Sequence, residues 1–227
     1  MKKDYISFYF TAALLLSSCA HSAFEPVRLS SVEHLDFTTV RQNFQNNLAV
    51  DFTISELGVL KYRRHQFPVL AYTNIQTKEN TLAVTGLTPL GTKVFDLKAV
   101  NGEVKEYSFS MPQIKKKADP EKMAQAMTED MWHVYFDRVP APNADKWKTK
   151  NKIYYKQAWG SGTLEFIFGG LDARLIEKRY YENNRLLWDV RYFEYQESGS
   201  KLYASKTFYR NRVHGYSIAL KLKEILP

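Results

Sequence analysis

From Leu48 onward the chain alternates. Leu48, Val50, Phe52 and Ile54 are separated by Ala49, Asp51, Thr53 and Ser55, the period of two that marks a strand with one face toward a core. The same pattern predicts strands over residues 69–75, 81–85, 92–100 and 103–111, with bends at Lys78-Glu79-Asn80 and Asn101-Gly102. An Asn-Gly pair between two alternating runs favours a tight hairpin. After an interruption the alternation resumes over residues 152–159, 163–168, 174–181, 186–195, 201–209 and 216–222, with Glu182-Asn183-Asn184 and Glu197-Ser198-Gly199-Ser200 as turns. Strands this close in sequence pair antiparallel. No repeat or low-complexity tract interrupts the series.

The interruption reads as a helix. Asp119 is placed to cap it, Pro120 fits the first turn and Glu121 complements the dipole. Met123, Met127, Met131 and Val134 then recur at helical spacing on one face. Methionine repacks easily, which suits a helix-on-sheet core and equally a lid. Residues 112–118 and 137–151 read as irregular.

Eleven or twelve strands and one main helix predict a mainly β fold: a strongly curved, unclosed antiparallel β-barrel with the helix across its mouth. A sheet of that size does not stay flat, and rolling it lines an interior with alternate side chains. The candidates are Phe52, Ile54, Leu82, Val84, Phe95, Leu97, Tyr107, Phe109, Phe166, Phe168, Trp188, Val190 and Tyr192. Alternation serves a filled interior and a hollow one equally.

With 227 residues, 44% hydrophobic and 15% aromatic, the composition is that of one globular domain. The single cysteine excludes an intramolecular disulfide. It stands instead behind a basic Lys2-Lys3 pair and an apolar run, residues 5–16, too short to span a bilayer. Leu16-Ser17-Ser18-Cys19 resembles the lipobox of bacterial lipoproteins. The resemblance implies a signal peptide over residues 1–18, an acylated Cys19, a tether over residues 19–31 and a domain over residues 32–227. Ala20 after the cysteine implies sorting to the Gram-negative outer membrane, facing the periplasm. Acyl chains contribute about 0.8 kcal/mol per buried methylene, so such an anchor needs no membrane-spanning helix. Loss of residues 1–18 removes two lysines and one aspartate, which lowers the net charge from +8 to +7. Export and the dispersed Lys and Arg residues argue against nucleic acid as a partner. Anionic lipid headgroups and a plain solvated face both remain open.

No catalytic signature assembles. His21, His34, His65, His133 and His214 show no zinc-binding spacing. Gly160-Ser161-Gly162 is followed by further strands and lacks the strand-to-helix setting of a nucleophile elbow. Asp189 and Glu194 are candidates to face an interior, although strand carboxylates usually face solvent. No metal or cofactor is implied, and the chain does not read as an enzyme.

One turn breaks the rule that turns are polar: Gly86-Leu87-Thr88-Pro89-Leu90-Gly91. With residues 81–85 before it and Thr92 after it, followed by the strand to Val100 and the Asn101-Gly102 turn, it resembles a family of uncharacterised bacterial outer-membrane lipoproteins. That family is similar to the LolA and LolB lipoprotein carriers, an unclosed barrel covered by helices around a hydrophobic cavity. The resemblance implies that Leu87, Pro89, Leu90 and Gly91 form a membrane-inserting loop with Leu90 at its tip, that the interior list lines a lipid cavity, and that Met123, Met127 and Met131 belong to a lid. It implies membrane lipid as a partner and an acylated lipid, a polyene-lipid or lipoprotein acyl chains as cargo, passed on with a periplasmic carrier protein. The carriers have several covering helices where this pattern predicts one, and their lid-holding arginine has no obvious counterpart. A structural lipoprotein that scaffolds an envelope synthesis or export complex would use the same anchor and sheet with a filled interior.

Overall fold

The computed structural model describes residues 24–110 and 119–226. The lipobox with Cys19 and the stretch 111–118 lie outside the described residues. Within them are two α-helices, α1 (Phe37–Asn47) and α2 (Pro120–Tyr135). Twelve strands accompany them: β1 (Asp51–Tyr62), β2 (His65–Gln76), β3 (Thr81–Leu87), β4 (Lys93–Val100), β5 (Glu103–Phe109), β6 (Asp145–Lys148), β7 (Ile153–Trp159), β8 (Gly162–Gly169), β9 (Arg174–Glu182), β10 (Arg185–Ser198), β11 (Lys201–Asn211) and β12 (Tyr216–Leu226).

All twelve join one antiparallel sheet in the order β5-β4-β3-β2-β1-β12-β11-β10-β9-β8-β7-β6. The first strand pairs with the last, Tyr62 opposite Tyr216 and Leu57 opposite Lys221. The unpaired edges are therefore β5 and β6, the strands that flank the helical interruption. Antiparallel pairing throughout puts the turns after β1, β3, β7, β9 and β11 at one end, the hairpin end. The turns after β2, β4, β6, β8 and β10 lie at the other.

The α2 helix starts where the sequence predicts. The Asp119 carboxylate accepts from the backbone N–H of Glu121, at 3.1 Å, and of Lys122. The helix touches β4, β5 and β11. Those strands are far apart in the sheet, so a helix reaching both sides crosses the concave face. Ala124 packs with Leu97 and Phe109, flanked by Met123 and Met127, while Val134, Tyr135 and Met131 join the main core.

Two elements depart from expectation. The α1 helix shows only Phe37, Val40 and Phe44 against a polar Gln/Asn background, too sparse a stripe to announce itself. It is set by an Asp36 cap on the Thr39 N–H, 2.9 Å, and by Phe44, whose ring meets Phe168 and Tyr195 edge-on. It covers the end opposite the hairpins, where Lys201 donates to the Asn46 carbonyl at 2.7 Å. The short β6 falls in the stretch expected to be irregular; all four of its residues are exposed, so alternation has nothing to display. Val50 also leaves the predicted pattern: β1 begins one residue later and Val50 is exposed.

Gly86 explains part of the unusual turn. Its partner across the ladder is Phe95, and a Cβ on Gly86 would sit 2.1 Å from the Phe95 ring. The missing side chain is the space the ring occupies. Gly86→Ala should push Phe95 off the interior and cost about 1–3 kcal/mol, read as a lower urea midpoint at unchanged slope; an unchanged midpoint would show that the ring is not held there.

Candidate functional site

The predicted interior residues converge. Ile54, Leu82, Val84, Phe166, Phe168, Trp188, Val190 and Tyr192 lie in one buried cluster with Phe52 at its margin. Leu97 and Phe109 form a second with Phe95. Tyr107 departs from the list: it stands opposite Leu97 on the same face, but β5 is an edge strand and the side chain stays 42% exposed.

In the described conformation the C-terminal half of α2 packs into the interior. His133 from α2 stacks on Trp188 with ring centroids 4.1 Å apart, and Trp159, Tyr180 and Tyr209 surround the pair. Two clefts lie elsewhere. One of about 560 Å³ opens between α1 and the β8–β9 and β10–β11 turns, lined by Val40, Phe44, Arg174 and Leu202 among others. Another of about 370 Å³ lies between the segment Glu25 to Arg28 and the flank of β10. Neither reaches the Leu90 tip.

The C-terminal half of α2 is held in the barrel by polar contacts from all sides. Tyr192 donates to the Val134 carbonyl at 2.7 Å, and the Lys178 ammonium donates to the Phe136 carbonyl at 2.8 Å. Both satisfy carbonyls that a helix end leaves orphaned, and the cation suits the negative end of the dipole. Tyr135 donates to the Glu56 carboxylate, Tyr216 donates to Asp130, and the His133 Nδ1 lies 3.3 Å from the Tyr209 hydroxyl. Just beyond the helix, the buried Arg138 guanidinium donates to the Ala49 carbonyl at 2.7 Å. The hydroxyls of Thr73 and Thr128 are buried without a hydrogen-bond partner.

Burial dominates the electrostatics of this plug. It raises the Glu56 carboxyl to about 7 against the pull of Tyr135, and Asp130 to about 6 against Tyr216 and its neighbours. It depresses His133 to about 3, Lys178 to about 7 and Arg138 below its ordinary value. Each shift favours the neutral form of a group taken out of water.

Glu56, Asp130, Lys178 and Arg138 were not among the sequence candidates, yet some carried a signal. Glu56 continues the inward parity of Phe52 and Ile54, and Lys178 shares that of Tyr180 on β9. A charge at a core position marks a site more sharply than the aromatics around it. Asp189 is fully buried, but it lies opposite the inward Trp188 and Val190 parity. It sits under Arg212, at 2.8 Å, and Arg191, at 3.4 Å. Glu194 is exposed and paired with Lys206. Ser161 meets the Tyr180 hydroxyl and Glu182, with no histidine in either contact. Among the described residues no group of three His, Cys, Asp or Glu side chains could hold a metal, and no helix is long and apolar enough to cross a membrane.

The leucine turn projects from the hairpin end. Thr88 N–H donates to the Thr92 carbonyl at 2.8 Å, Gly91 N–H to the Thr88 carbonyl at 2.9 Å, and Thr92 N–H to the Thr88 hydroxyl at 3.1 Å. Gly91 takes a φ of +84°, a conformation that glycine adopts without strain. Leu87 is half-buried at the base, Pro89 is exposed, and Leu90 is 95% exposed. A closed ring of backbone bonds thus holds an apolar side chain in the open.

No family model and no curated protein sequence matches the chain. Its fold does match solved structures. A LolA superfamily protein from Nitrosomonas europaea, 8% identical, superposes over 84% of this chain and 94% of its own with a TM-score of 0.52. A putative outer membrane lipoprotein-sorting protein domain from Vibrio parahaemolyticus, 11% identical, covers 83% of this chain and 90% of its own at 0.48. A DUF1329 family protein from Desulfovibrio piger, 8% identical, covers the same shares at 0.47. The architecture is the unclosed, helix-covered LolA-like barrel.

The raised Glu56 gives the plug a pH dependence with a defined sign. A carboxyl whose folded value lies above the unfolded one contributes stability fully below about pH 4.5 and loses it as the pH rises through about 7. Glu56→Gln stays neutral throughout, so its stability relative to the parent should rise between pH 5 and 8, by up to about 3 kcal/mol. Thermal melts of both chains across that range test this; a gap independent of pH would refute it.

Proposed function

We propose that this chain is a lipoprotein, acylated at Cys19 and held at the outer membrane on its periplasmic side, that takes up acyl chains in its barrel and delivers them to the bilayer. The observation that carries the reading is Leu90, 95% exposed on a hydrogen-bonded turn at the rim of a LolA-like barrel. Burying one leucine contributes about 1.5–3 kcal/mol, too little to anchor a protein and enough to orient a tethered one. In this reading α2 is the lid, with Met123, Met127 and Met131 on its flank, and cargo replaces it against Phe52, Leu82, Val84, Leu97, Phe109 and Phe166. The cargo is an acylated lipid, a polyene-lipid or a lipoprotein's acyl chains, received from a periplasmic carrier protein. Transfer between two apolar environments needs no chemistry and little driving force, so differences in fit set its direction.

Two features of the plug support a lid that moves. Beside the apolar packing of Met131, Val134 and the His133 ring, its polar contacts are hydrogen bonds, each worth about 1–3 kcal/mol net. The unpartnered Thr73 and Thr128 hydroxyls weaken the packed state further. The packing of α2 into the interior also favours a second reading, a tethered scaffold for an envelope complex.

Native mass spectrometry of the chain released gently from membranes separates the two. A carrier brings bound lipid mass; an empty barrel that retains protein partners supports the scaffold and ends the carrier reading. Leu90→Glu should leave the melting temperature unchanged and slow lipid delivery to acceptor vesicles about ten-fold or more. Unchanged delivery would remove the turn from the mechanism.

A further inference from the structure

We propose that the tip of the β1–β2 hairpin, residues 61–68, is a second membrane contact that binds anionic phospholipid headgroups beside the Leu90 tip. The proposal rests on the reading that the hairpin end meets a bilayer, and it assigns the lipid class that end selects.

Residues 61–68 are eight exposed positions in a row. The ladder explains why: the last β2–β3 pair is Leu70 with Leu87, so His65 to Val69 stand beyond β3 and pair only with β1. This tip carries Lys61, Arg63 and Arg64, none of which forms an ion pair with a described residue. Tyr62 and Phe67 are exposed between them, and the Arg63 guanidinium lies 5.2 Å from the Tyr62 ring centre.

The surroundings keep this charge unopposed. No Asp or Glu occurs from Leu57 to Lys78, nor from Ser198 to Lys223. Those two stretches form adjacent strands, because β2, β1, β12 and β11 are consecutive in the sheet. The β11–β12 turn contributes Val213, 53% exposed. Its Arg212 is held by the buried Asp189 and is not counted. On the other side the β3–β4 turn presents Leu90, about 10 Å along the sheet at the usual strand spacing. Lys93 at its base is already matched by Asp96. Free arginines interleaved with exposed aromatic rings suit the headgroup layer, where the cation meets phosphate and the ring sits at the acyl boundary. Leucine reaches deeper and is indifferent to headgroup charge.

The test uses the full chain carrying Cys19→Ser, which cannot be acylated. Its partition onto vesicles of phosphatidylethanolamine and phosphatidylglycerol is compared with that onto phosphatidylcholine alone. The parent should prefer the anionic vesicles and lose that preference as salt is raised. Arg63→Gln with Arg64→Gln should weaken anionic binding about 25-fold, about five-fold per arginine. The same pair should leave phosphatidylcholine binding and the melting temperature unaltered, whereas Leu90→Glu should weaken both vesicle types. Equal binding of the double variant and the parent, or anionic binding that salt does not weaken, would overturn the proposal. So would binding to heparin without binding to anionic vesicles. Absence of co-purifying lipid would sink the carrier reading and leave these vesicle results standing.

Discussion

The ladder between the first strand and the last organises the molecule. Had β1 remained an edge, the chain would make a simple meander with its opening between the termini. Pairing β1 with β12 from Thr53 to Tyr62 moves the opening to the middle of the sequence, between β5 and β6. The chain must cross that opening once, and the segment that crosses it carries α2. A helix tied at both ends to the lips of the seam, and able to lie in the concavity behind it, follows from the strand order alone.

What fills the concavity is unusual for a β interior. A barrel core built only from Leu82, Val84, Phe166, Phe168 and Val190 would need no charges, yet Glu56, Lys178, Arg138 and Asp130 are all buried and His133 is half-buried beside them. Burying such groups is costly unless they are hydrogen-bonded. Here each is bonded, and the partners belong to α2, to the chain that follows it, or to the rim of the sheet. The polar groups thus specify one seat for the helix instead of simply gluing it down. Directional bonds to the Glu56, Lys178, Tyr192 and Tyr216 side chains fix both the depth and the rotation of the helix over the apolar wall.

Much of the sheet was legible because alternation is a direct consequence of pleating. The strands 69–75, 81–85, 174–181 and 186–195 each fall within an observed strand, and the Asp119-Pro120 signal marked α2 to the residue. Legibility failed where the burial pattern carries no period. The α1 helix hides because its polar face is nearly the whole helix, and β6 because an edge strand in water needs no apolar side. The interior list found the apolar wall but passed over the charged residues in the same rows, since a hydrophobic pattern is blind to the polar exceptions within it. Whether the space was filled could not be read at all, because packing depends on which side chains from distant strands meet. The turn was the reverse case: Leu90 stood out in the sequence because it violates turn chemistry, and a violation with a glycine on either side reads as a purposeful one.

The segment that precedes α1 sets how the molecule can stand. Phe24 lies against Phe193 midway along the outer flank, with ring centres 5.3 Å apart. Six residues later Ser30 donates to the Gly170 carbonyl, 2.7 Å, at the far end. The described chain therefore starts halfway up the wall and descends away from the hairpins. Four residues separate Phe24 from Cys19, five chain steps that reach at most about 18 Å when fully extended. If Cys19 is the anchor, so short a leash fastened to the flank keeps the barrel close over its lipid and restricts its tumbling. The molecule would then be a swivel moored at its side, its orientation chosen by whichever rim finds better purchase on the surface beneath.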